Sequence, residues 1–582
     1  MTTATAQDWA SLSKLLKSFG PDHPQAQAGL DEFRATPDYA AMVALWEAHA
    51  DGQALPADAC ASVLRSSGSA RIVFGIAHGL AANRIRMRSS LRSEAEKCAE
   101  FGLDHARLKR DINDFLSAEP AWAARLDAAT YGSEKSRAMI ASRERFLGFQ
   151  DRAIDSGRLE FPDPWTGAPC HATDCFHLFG RAVYLFLGTK PFYLVTGGAG
   201  HKAVGLLLPA LRLFLDFEAG LGAITKDEAL ATSFGAQLFR LARHADAFLA
   251  LLARTPAQLA EPRRIALRVG RAENFAHWHW NFLTGVERQV LRGPTPRVES
   301  VITGGSEFFA PFERIYPEYA HCHVESDAGQ TDPCPFAPDR LMVATGGYFI
   351  PASLRARLIE CARRLPVARE TAVQPEQLPV DAWPVIWFGM RTGSRAWIGQ
   401  AEGIARVIAA VGAEFPQAVF LLDGFSYPVG KDLITHKWAG ALEALDAVAH
   451  QVIDGCPSGL RARVFNLLGN SLRESVLLAA QVDFYLAPIG TTQHKVGWFC
   501  RGTGLTYSGP DIEKTPPDER PGTWEAEDIR PAEFVIGRIA DAGERRNEYD
   551  IRNNVQNVEL DVDDIVRRFL RSLRDMQATR AR

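Results

Sequence analysis

The stretch Val385-Ile-Trp-Phe-Gly-Met-Arg-Thr-Gly-Ser-Arg395 decides how the second half of this chain folds. It begins with a continuous apolar run, which is typical of a strand buried on both faces. A polar loop with two arginines and Gly393 follows, and an amphipathic stretch then predicts a helix over 398–415. This strand–loop–helix order predicts the first unit of a parallel α/β sheet.

The same alternation continues downstream of this unit. Apolar runs predict three more strands, and the stretches between them have helical periodicity. The predicted strands are 418–422, 464–467 and 484–487, and the predicted helices are 439–453, 472–480 and one that opens at Gly490. Four strands with helical crossovers within about 120 residues match the size of one nucleotide-binding half-domain.

Upstream, two further regions differ in pattern. Residues 161–370 alternate short apolar runs with helical stretches and are predicted to form a first Rossmann-like domain. Its predicted strands are 182–187, 192–196, 264–269 and 298–302, and its predicted helices are 203–217 and 226–252. Residues 1–160 have apolar residues at helical spacing and are predicted to form an all-α N-terminal domain. The predicted fold class is therefore α/β, with a second Rossmann-like domain and a C-terminal helix at 371–582.

Composition restricts the classes of function. The chain has 582 residues and a net charge of −4, which argues against general nucleic-acid binding. The N-terminus lacks the pattern of a secretory signal, and no apolar run reaches the length of a membrane span. The nine cysteines are expected to be reduced. A cytoplasmic location is therefore predicted. Arginines on one face of the C-terminal helix offer peripheral contact with anionic lipid at the inner face of the membrane, although such helices usually pack on their own protein.

Two loops of the second half are predicted to bind an anion. Each follows a strand at the carboxyl edge of the sheet, where open α/β sheets bind ligands. Helix-start N–H groups and nearby cations suit a diphosphate, and Trp397 is a candidate for stacking on a base or sugar. The residues concerned are Arg391, Arg395, Gly490, Thr491, Thr492, Gln493, His494 and Lys495. The alternatives are a threonine N-cap for a structural helix and an ordinary surface loop.

A third cluster, Glu273-Asn-Phe-Ala-His-Trp-His-Trp-Asn281, lies in the first half of the chain. His277 or Glu273 is a candidate general base, while Trp278, Trp280 and Asn281 are candidates for contact with an acceptor or a sugar. The alternative is an aromatic-rich interface between domains. No metal site is predicted, because the Cys and His clusters lack paired C-x-x-C spacing.

The stretch Thr196-Gly-Gly-Ala-Gly-His-Lys-Ala203 supports a different hypothesis. It is similar to the glycine-rich fingerprint of nicotinamide-dependent oxidoreductases. No acidic residue ends a second strand at the required distance, so this oxidoreductase reading is retained only as an alternative.

Together these motifs resemble those of GT-B glycosyltransferases, with a partial likeness to glycosyltransferase family 61 and related bacterial enzymes. The Asn274-Phe-Ala-His-Trp278 element resembles that family's Asn-x-x-His-Trp motif, and Arg391 and Arg395 resemble its arginine loop. The segment ending at Gly490 resembles the one that ends in the family's Gly-Ala-Gly turn, although here the turn is Ile489-Gly-Thr-Thr. The resemblance implies two Rossmann-like domains facing a cleft, a nucleotide-sugar donor and no obligatory metal.

The resulting hypothesis is metal-independent, inverting transfer of a sugar to a hydroxyl acceptor. The donor is a nucleotide sugar acting as co-substrate, and no other cofactor is expected. The acceptor is a glycan, a lipid-linked molecule or a protein, and the helical N-terminal domain is expected to bind it or a partner. A non-catalytic adaptor that binds carbohydrate or protein is the other alternative.

Overall fold

The computed structural model describes residues 6–19, 23–78, 83–117, 147–178, 181–197, 202–217, 227–270, 274–304, 309–326, 336–337, 339–367, 372–429, 436–517, 520, 522, 525–541 and 556–580. These residues form a mixed α/β structure with two parallel sheets, one largely antiparallel sheet and one two-stranded antiparallel sheet. The predicted domain boundaries at 160 and 370 stay predictions.

The N-terminal region is mainly helical. Side chains start two of its helices, since Thr36 accepts from the N–H of Tyr39 and Ser67 accepts from the N–H of Ala70. Its helices are Ala6–Phe19, Pro24–Arg34, Pro37–Ala50, Ala57–Arg65, Gly68–Ala77, Arg92–Glu100, His105–Ser117 and Gly148–Ser156. The sequence predicted an all-α domain here, but the region also contains a strand. This strand, β1 (Asn83–Arg86), pairs in parallel with a strand near residue 215.

The next sheet corrects the predicted alternation of strands and helices. Its seven strands lie in the order β1-β7-β6-β5-β4-β3-β2, and β2 to β7 are antiparallel neighbours. They are β2 (Glu160–Pro162), β3 (Pro169–Leu178), β4 (Arg181–Leu187), β5 (Pro191–Thr196), β6 (Ala203–Leu208) and β7 (Leu213–Asp216). The predicted helix over 203–217 is wrong. Both of its strands are buried on both faces, and a continuous apolar run does not distinguish a buried strand from a buried helix.

A four-stranded parallel sheet follows, in the order β10-β9-β8-β11. Its strands are β8 (Arg264–Val269), β9 (Val298–Thr303), β10 (His323–Ser326) and β11 (Arg340–Thr345), which confirms the predicted strands at 264–269 and 298–302. The helices of this region are Asp227–Arg243, Ala245–Leu252, Pro256–Leu259, Phe275–His277, Thr284–Arg292, Phe312–Ile315 and Ala352–Arg364, with a π-helical turn at Trp278–Leu283.

The six-stranded parallel sheet confirms the predicted strands of the second half. Its strands are β12 (Val385–Gly389), β13 (Val419–Asp423), β14 (Val464–Asn466), β15 (Phe484–Pro488), β16 (Thr503–Ser508) and β17 (Glu533–Ile536). Their order is β14-β13-β12-β15-β16-β17. Counted from β12, this is the 3-2-1-4-5-6 order of a Rossmann sheet, whose topological switch point lies between β12 and β15. The accompanying helices are Gln400–Glu414, His436–Gly455, Leu472–Ala479 and Thr491–Gly497.

The C-terminal helix, Val562–Arg580, packs on this sheet next to the small hairpin of β18 (Arg538–Asp541) and β19 (Asn557–Glu559). Phe569 is fully buried, and its ring lies 5.9 Å from that of Phe388 and 4.8 Å from that of Phe484. The arginines of the opposite face pair with carboxylates of the same chain: Arg567 with Asp564, Arg568 with Asp564 and Glu533, Arg571 with Glu533, and Arg574 with Glu414. Among the described residues, none of the helices combines the length and apolar character needed to span a bilayer.

Candidate functional site at the facing edges of the two parallel sheets

The two predicted anion-binding loops meet at the switch point of the six-stranded sheet. They leave the carboxyl ends of the neighbouring strands β12 and β15. The guanidinium of Arg395 donates to the carbonyl of Ile489 at 3.3 Å, and its Nη1 lies 2.5 Å from where a Cβ on Gly490 would stand. The predicted adjacency of the loops is therefore observed, and the guanidinium of Arg395 reaches the Gly490 turn.

The loop after β12 is held in one conformation by hydrogen bonds. The side chain of Gln400 forms two hydrogen bonds with the backbone of Arg391. Its Oε1 accepts from the N–H of Arg391 at 3.2 Å, and its Nε2 donates to the carbonyl of Arg391 at 2.8 Å. Asn557 accepts from the N–H of Ala396 at 2.9 Å and donates to the carbonyl of Gly393 at 3.0 Å. Arg395 adopts a φ of 59°, a conformation that non-glycine residues adopt mostly where the surroundings impose it. The arginine loop is thus pre-organised.

Trp397 does not take the stacking role considered from the sequence. It is buried, and its indole lies against Gly403, where a Cβ would stand 2.1 Å from the ring. It belongs to the core between the sheet and the helix Gln400–Glu414.

The turn after β15 begins at Gly490, with φ 110° and ψ −151°, and leads into the helix Thr491–Gly497. Neither threonine is the N-cap; Gly490 occupies that position without a side-chain cap. The first-turn N–H groups of this helix have no intrahelical partners. Thr492 and Gln493 are buried, and Gln493 donates to the hydroxyl of Tyr485 at 3.2 Å, so their side chains do not fit the predicted contact with a ligand.

Lys495 corrects the sequence prediction. Its Nζ lies 2.5 Å from Oδ2 of Asp423 and donates to the hydroxyl of Ser426 at 2.8 Å. The side chains of Lys495 and Asp423 are 7% and 0% exposed. A cation that is buried and already paired does not fit the role of a diphosphate ligand, so the charge at the switch point comes from the arginine loop.

His494, unlike Lys495, is neutral at neutral pH. Its ring stacks on Trp498 with centroids 4.4 Å apart, and Nε2 lies 3.7 Å from Oε1 of Glu525. Burial, together with the charges of His277 and Arg395, lowers the pKa of His494 to about 3. The imidazole is therefore neutral and part of an aromatic cluster.

The cluster around His277 lies at the carboxyl end of β8. Asn274 starts its helix by accepting from the N–H groups of Ala276 at 2.9 Å and His277 at 3.3 Å. His277 is exposed, and its Nδ1 lies 2.8 Å from Oδ1 of Asn281. The π-helical turn that follows is a feature often found at functional sites. His277 is thus the accessible imidazole of this cluster.

The other residues predicted for this cluster differ in how well their positions agree with the predicted roles. Glu273 lies outside the described residues. Trp278 is 5% exposed and packs in the core, so it does not fit the predicted stacking role. Trp280 is half-buried, and its indole N–H donates to the carbonyl of Tyr348 at 2.5 Å.

The His277 cluster contacts one of the two loops that are predicted to bind an anion. Asn274 Nδ2 donates to the hydroxyl of Thr491 at 2.9 Å, which joins the carboxyl edges of the two parallel sheets. The ring of Trp280 lies 5.9 Å from that of His494, and the ring of His279 lies 5.4 Å from that of Trp498. The aromatic interface considered as an alternative is also present, so the cluster combines a buried aromatic contact with an exposed polar rim.

The glycine-rich stretch at Thr196 does not form a dinucleotide-binding motif. Strand β5 pairs antiparallel with β6, which starts at Ala203, whereas the fingerprint requires a strand followed by a helix. The oxidoreductase alternative on this stretch is therefore wrong. The same hairpin reaches the His277 cluster from another side, since Nζ of Lys202 lies 5.7 Å from the ring centroid of Tyr348.

Sequence reasoning missed several residues of this region, among them Asp423, Ser426, Tyr348 and Glu525. One signal was available for Asp423, because an acidic residue that ends the strand beside β12 reaches the switch point.

A large groove lies elsewhere on the molecule. It has a volume of about 1060 Å³, and Val385, Asp483 and Arg580 are among its lining residues, so it lies at the amino edge of the six-stranded sheet. Ligands of open α/β sheets bind at the opposite edge, and the candidate site is placed there.

Acidification is expected to destabilise the contact between the two parallel sheets. Burial lowers the pKa of His279 to about 3, as it does for His494, whereas the ordinary pKa of a histidine is about 6.5. Below pH 6.5 these two histidines become protonated in the unfolded chain but stay neutral in the folded protein. The free energy of unfolding should therefore fall between about pH 6.5 and pH 3, by about 1.4 kcal/mol per pH unit for each histidine.

Urea unfolding of the wild type and His279→Phe at a series of pH values measures this effect. The variant should lose less stability on acidification, because one of the two groups is removed. His450→Phe is the control, since that histidine is 65% exposed on a helix surface. Equal pH dependence in the wild type and His279→Phe would contradict the expectation.

Comparison with known proteins gives little to set beside this geometry. No family model matches the chain, and no curated protein matches it. Among solved structures, the glycosyl transferase family 9 protein from Veillonella parvula DSM 2008 is similar over 54% of this chain and 97% of its own, with 10% sequence identity and a TM-score of 0.29. That TM-score is too low to establish a shared fold or function. None of these comparisons supports the resemblance to family 61.

Proposed function

We propose that this protein transfers a sugar from a nucleotide-sugar donor to a hydroxyl acceptor between the facing edges of its parallel sheets. One observation carries the proposal. The arginine loop and the Gly490 turn meet at the switch point of a Rossmann-ordered sheet, and Asn274 of the His277 cluster contacts that turn. Nucleotides bind at the switch points of such sheets.

In this proposal the donor diphosphate lies against the arginine loop and the Gly490 turn. Arg391 and Arg395 are both partly buried, and their guanidinium groups are oriented by donating to Ser394 and to the carbonyl of Ile489. A guanidinium offers further donors that suit paired hydrogen bonds to phosphate oxygens. The backbone N–H groups at the start of the helix Thr491–Gly497 add fixed donors. These groups stabilise the charge that develops on the departing nucleoside diphosphate without a required metal.

The acceptor lies on the side of His277. Nδ1–H of His277 donates to Oδ1 of Asn281, so the lone pair of the imidazole is on Nε2. Nε2 then takes the proton of the acceptor hydroxyl. The acceptor oxygen then forms a bond to the anomeric carbon while the bond from that carbon to the diphosphate oxygen breaks. The diphosphate leaves with the electron pair, and a single displacement of this kind inverts the anomeric centre.

Thermal unfolding in the presence of UDP, GDP, CMP or NAD tests the proposal. One nucleoside phosphate should stabilise the protein by about 2.7 kcal/mol when its concentration is a hundredfold above its Kd. Hydrolysis or transfer assays with the sugar conjugates of that nucleotide then follow. Stabilisation by NAD alone, or by none of the four, would overturn the proposed function.

A further inference from the structure

A buried ion pair connects the sheet to the helix behind the Gly490 turn. Asp423 is the last residue of β13, and its Oδ2 lies 2.5 Å from Nζ of Lys495 in the helix Thr491–Gly497. The ammonium also lies 5.8 Å from the ring centroid of Trp387 in β12. The pair therefore spans the switch point from the second strand of the sheet to the helix that follows the fourth strand.

Two serines extend this contact to a further helix. Lys495 donates to the hydroxyl of Ser426 at 2.8 Å, and that hydroxyl lies 2.7 Å from the hydroxyl of Ser475 in the helix Leu472–Ala479. The ammonium of Lys495 thus has a defined position and direction, set by a carboxylate and a hydroxyl.

Asp423 also contacts the other loop of the candidate site. Its backbone carbonyl accepts from the N–H of Met390 at 2.6 Å, at the point where the arginine loop leaves β12. One residue therefore holds both loops: its carbonyl holds the start of the arginine loop, and its carboxylate holds the helix that follows the Gly490 turn.

Stability alone does not explain a pair of charges at this place. Taking a carboxylate and an ammonium out of water is costly, and apolar residues of similar volume often stabilise a protein as well or better. A charged pair imposes a narrower geometry than an apolar contact, and a binding site needs its donors held within fractions of an ångström.

We propose that Asp423 is a positioning residue that sets the spacing between the arginine loop and the Gly490 turn, and so the fit of the donor diphosphate. The effect on donor binding rests on the proposed function, whereas the role of Asp423 in holding the two loops does not. Asp423 and Lys495 need not touch the donor, and Lys495 acts here as the partner of Asp423.

The double variant Asp423→Asn/Lys495→Met tests the inference. It removes both charges, so no buried charge is left without a partner, as would happen in either single variant. Amide hydrogen exchange in 491–496 should accelerate by about tenfold, because the helix that follows the Gly490 turn loses its charged contact with β13. The backbone carbonyl of residue 423 still accepts from the N–H of Met390, so exchange in 390–395 should accelerate by a smaller factor. The Kd for the nucleotide found by thermal unfolding should rise by about tenfold or more.

Matched variants separate positioning from general destabilisation. Asp174→Asn/Arg240→Met removes another fully buried pair, 2.5 Å apart, which joins strand β3 to the helix Asp227–Arg243, and should leave exchange in both loops unchanged. Ser426→Ala keeps both charges and should shift exchange in the same direction by less, even if the double variant folds poorly. Wild-type exchange rates in both loops of the Asp423 variants would overturn the inference. Failure of the wild type to bind any nucleotide would instead overturn the proposed function, while the exchange data still decide the role of Asp423.

Discussion

Replacement of His277 by alanine is expected to lower kcat for sugar transfer by about 10²–10⁴-fold, the usual contribution of a general base. His277 is exposed at the facing edges, and Asn281 fixes its tautomer through the contact of 2.8 Å. The Kd for the nucleotide should stay close to that of the wild type, because the diphosphate is assigned to the opposite edge. Release of nucleoside diphosphate from the donor, with and without acceptor, measures kcat, and calorimetry measures Kd.

His450→Ala is the control for this experiment, since it removes a solvent-exposed histidine from a helix surface. Its kcat and its thermal stability should equal those of the wild type. If His277→Ala retains full transfer, the base has been misassigned. If the wild type binds carbohydrate without transferring it and His277→Ala binds equally well, the adaptor alternative replaces the enzyme.

Gly490→Ala is expected to weaken nucleotide binding by about tenfold or more, through backbone strain of about 1–3 kcal/mol and displacement of Arg395. A φ of 110° with a ψ of −151° is a conformation that residues with a Cβ avoid. The added Cβ would also stand 2.5 Å from Nη1 of Arg395. Arg395→Ala should weaken binding by a comparable or larger factor, because a hydrogen bond to a charged group contributes about 1.5–3 kcal/mol.

Gly399→Ala provides a close control for Gly490→Ala. Gly399 also precedes a helix and has a positive φ of 79°, but a Cβ added there meets nothing within 4 Å. It should cost some stability and leave the Kd for the nucleotide unchanged. Arg406→Ala is the control for Arg395→Ala, since Arg406 is half-exposed and pairs with Asp563 on the outer side of the sheet. Equal effects of the test and control variants on Kd would contradict the assignment of the Gly490 turn to the donor.

The predictions from sequence succeeded where local pattern and sheet topology act together. The run Val385–Gly389 is apolar throughout because it is buried on both faces, and the strands near 420 and 485 follow the same rule. The strand near 465 lies at the edge of the sheet and is only partly buried. Polar loops at the carboxyl ends of parallel strands lie at one edge of a sheet, so the contact between Arg395 and Ile489 could be anticipated.

The predictions failed where a run was apolar without periodicity or where a side chain had more than one available partner. Residues 203–217 form two buried strands, and pairing with β5 decided this against helix. Thr196 and Ala203, on either side of the glycine-rich stretch, belong to antiparallel strands, whereas a dinucleotide fingerprint joins a strand to a helix.

Local sequence pattern was enough to predict four of the six strands of the Rossmann-ordered sheet, two polar loops at its carboxyl edge and a histidine-containing cluster in the other half. These depend on burial patterns and connectivity, which short stretches of sequence encode. Long-range packing decides that Asn274 of the His277 cluster contacts Thr491, that Trp278 packs in the core and that Lys495 pairs with Asp423. Those outcomes depend on contacts between residues that are far apart in the chain. For a lysine, burial and the nearest opposite charge determine whether its ammonium can bind a ligand or instead holds a helix in place.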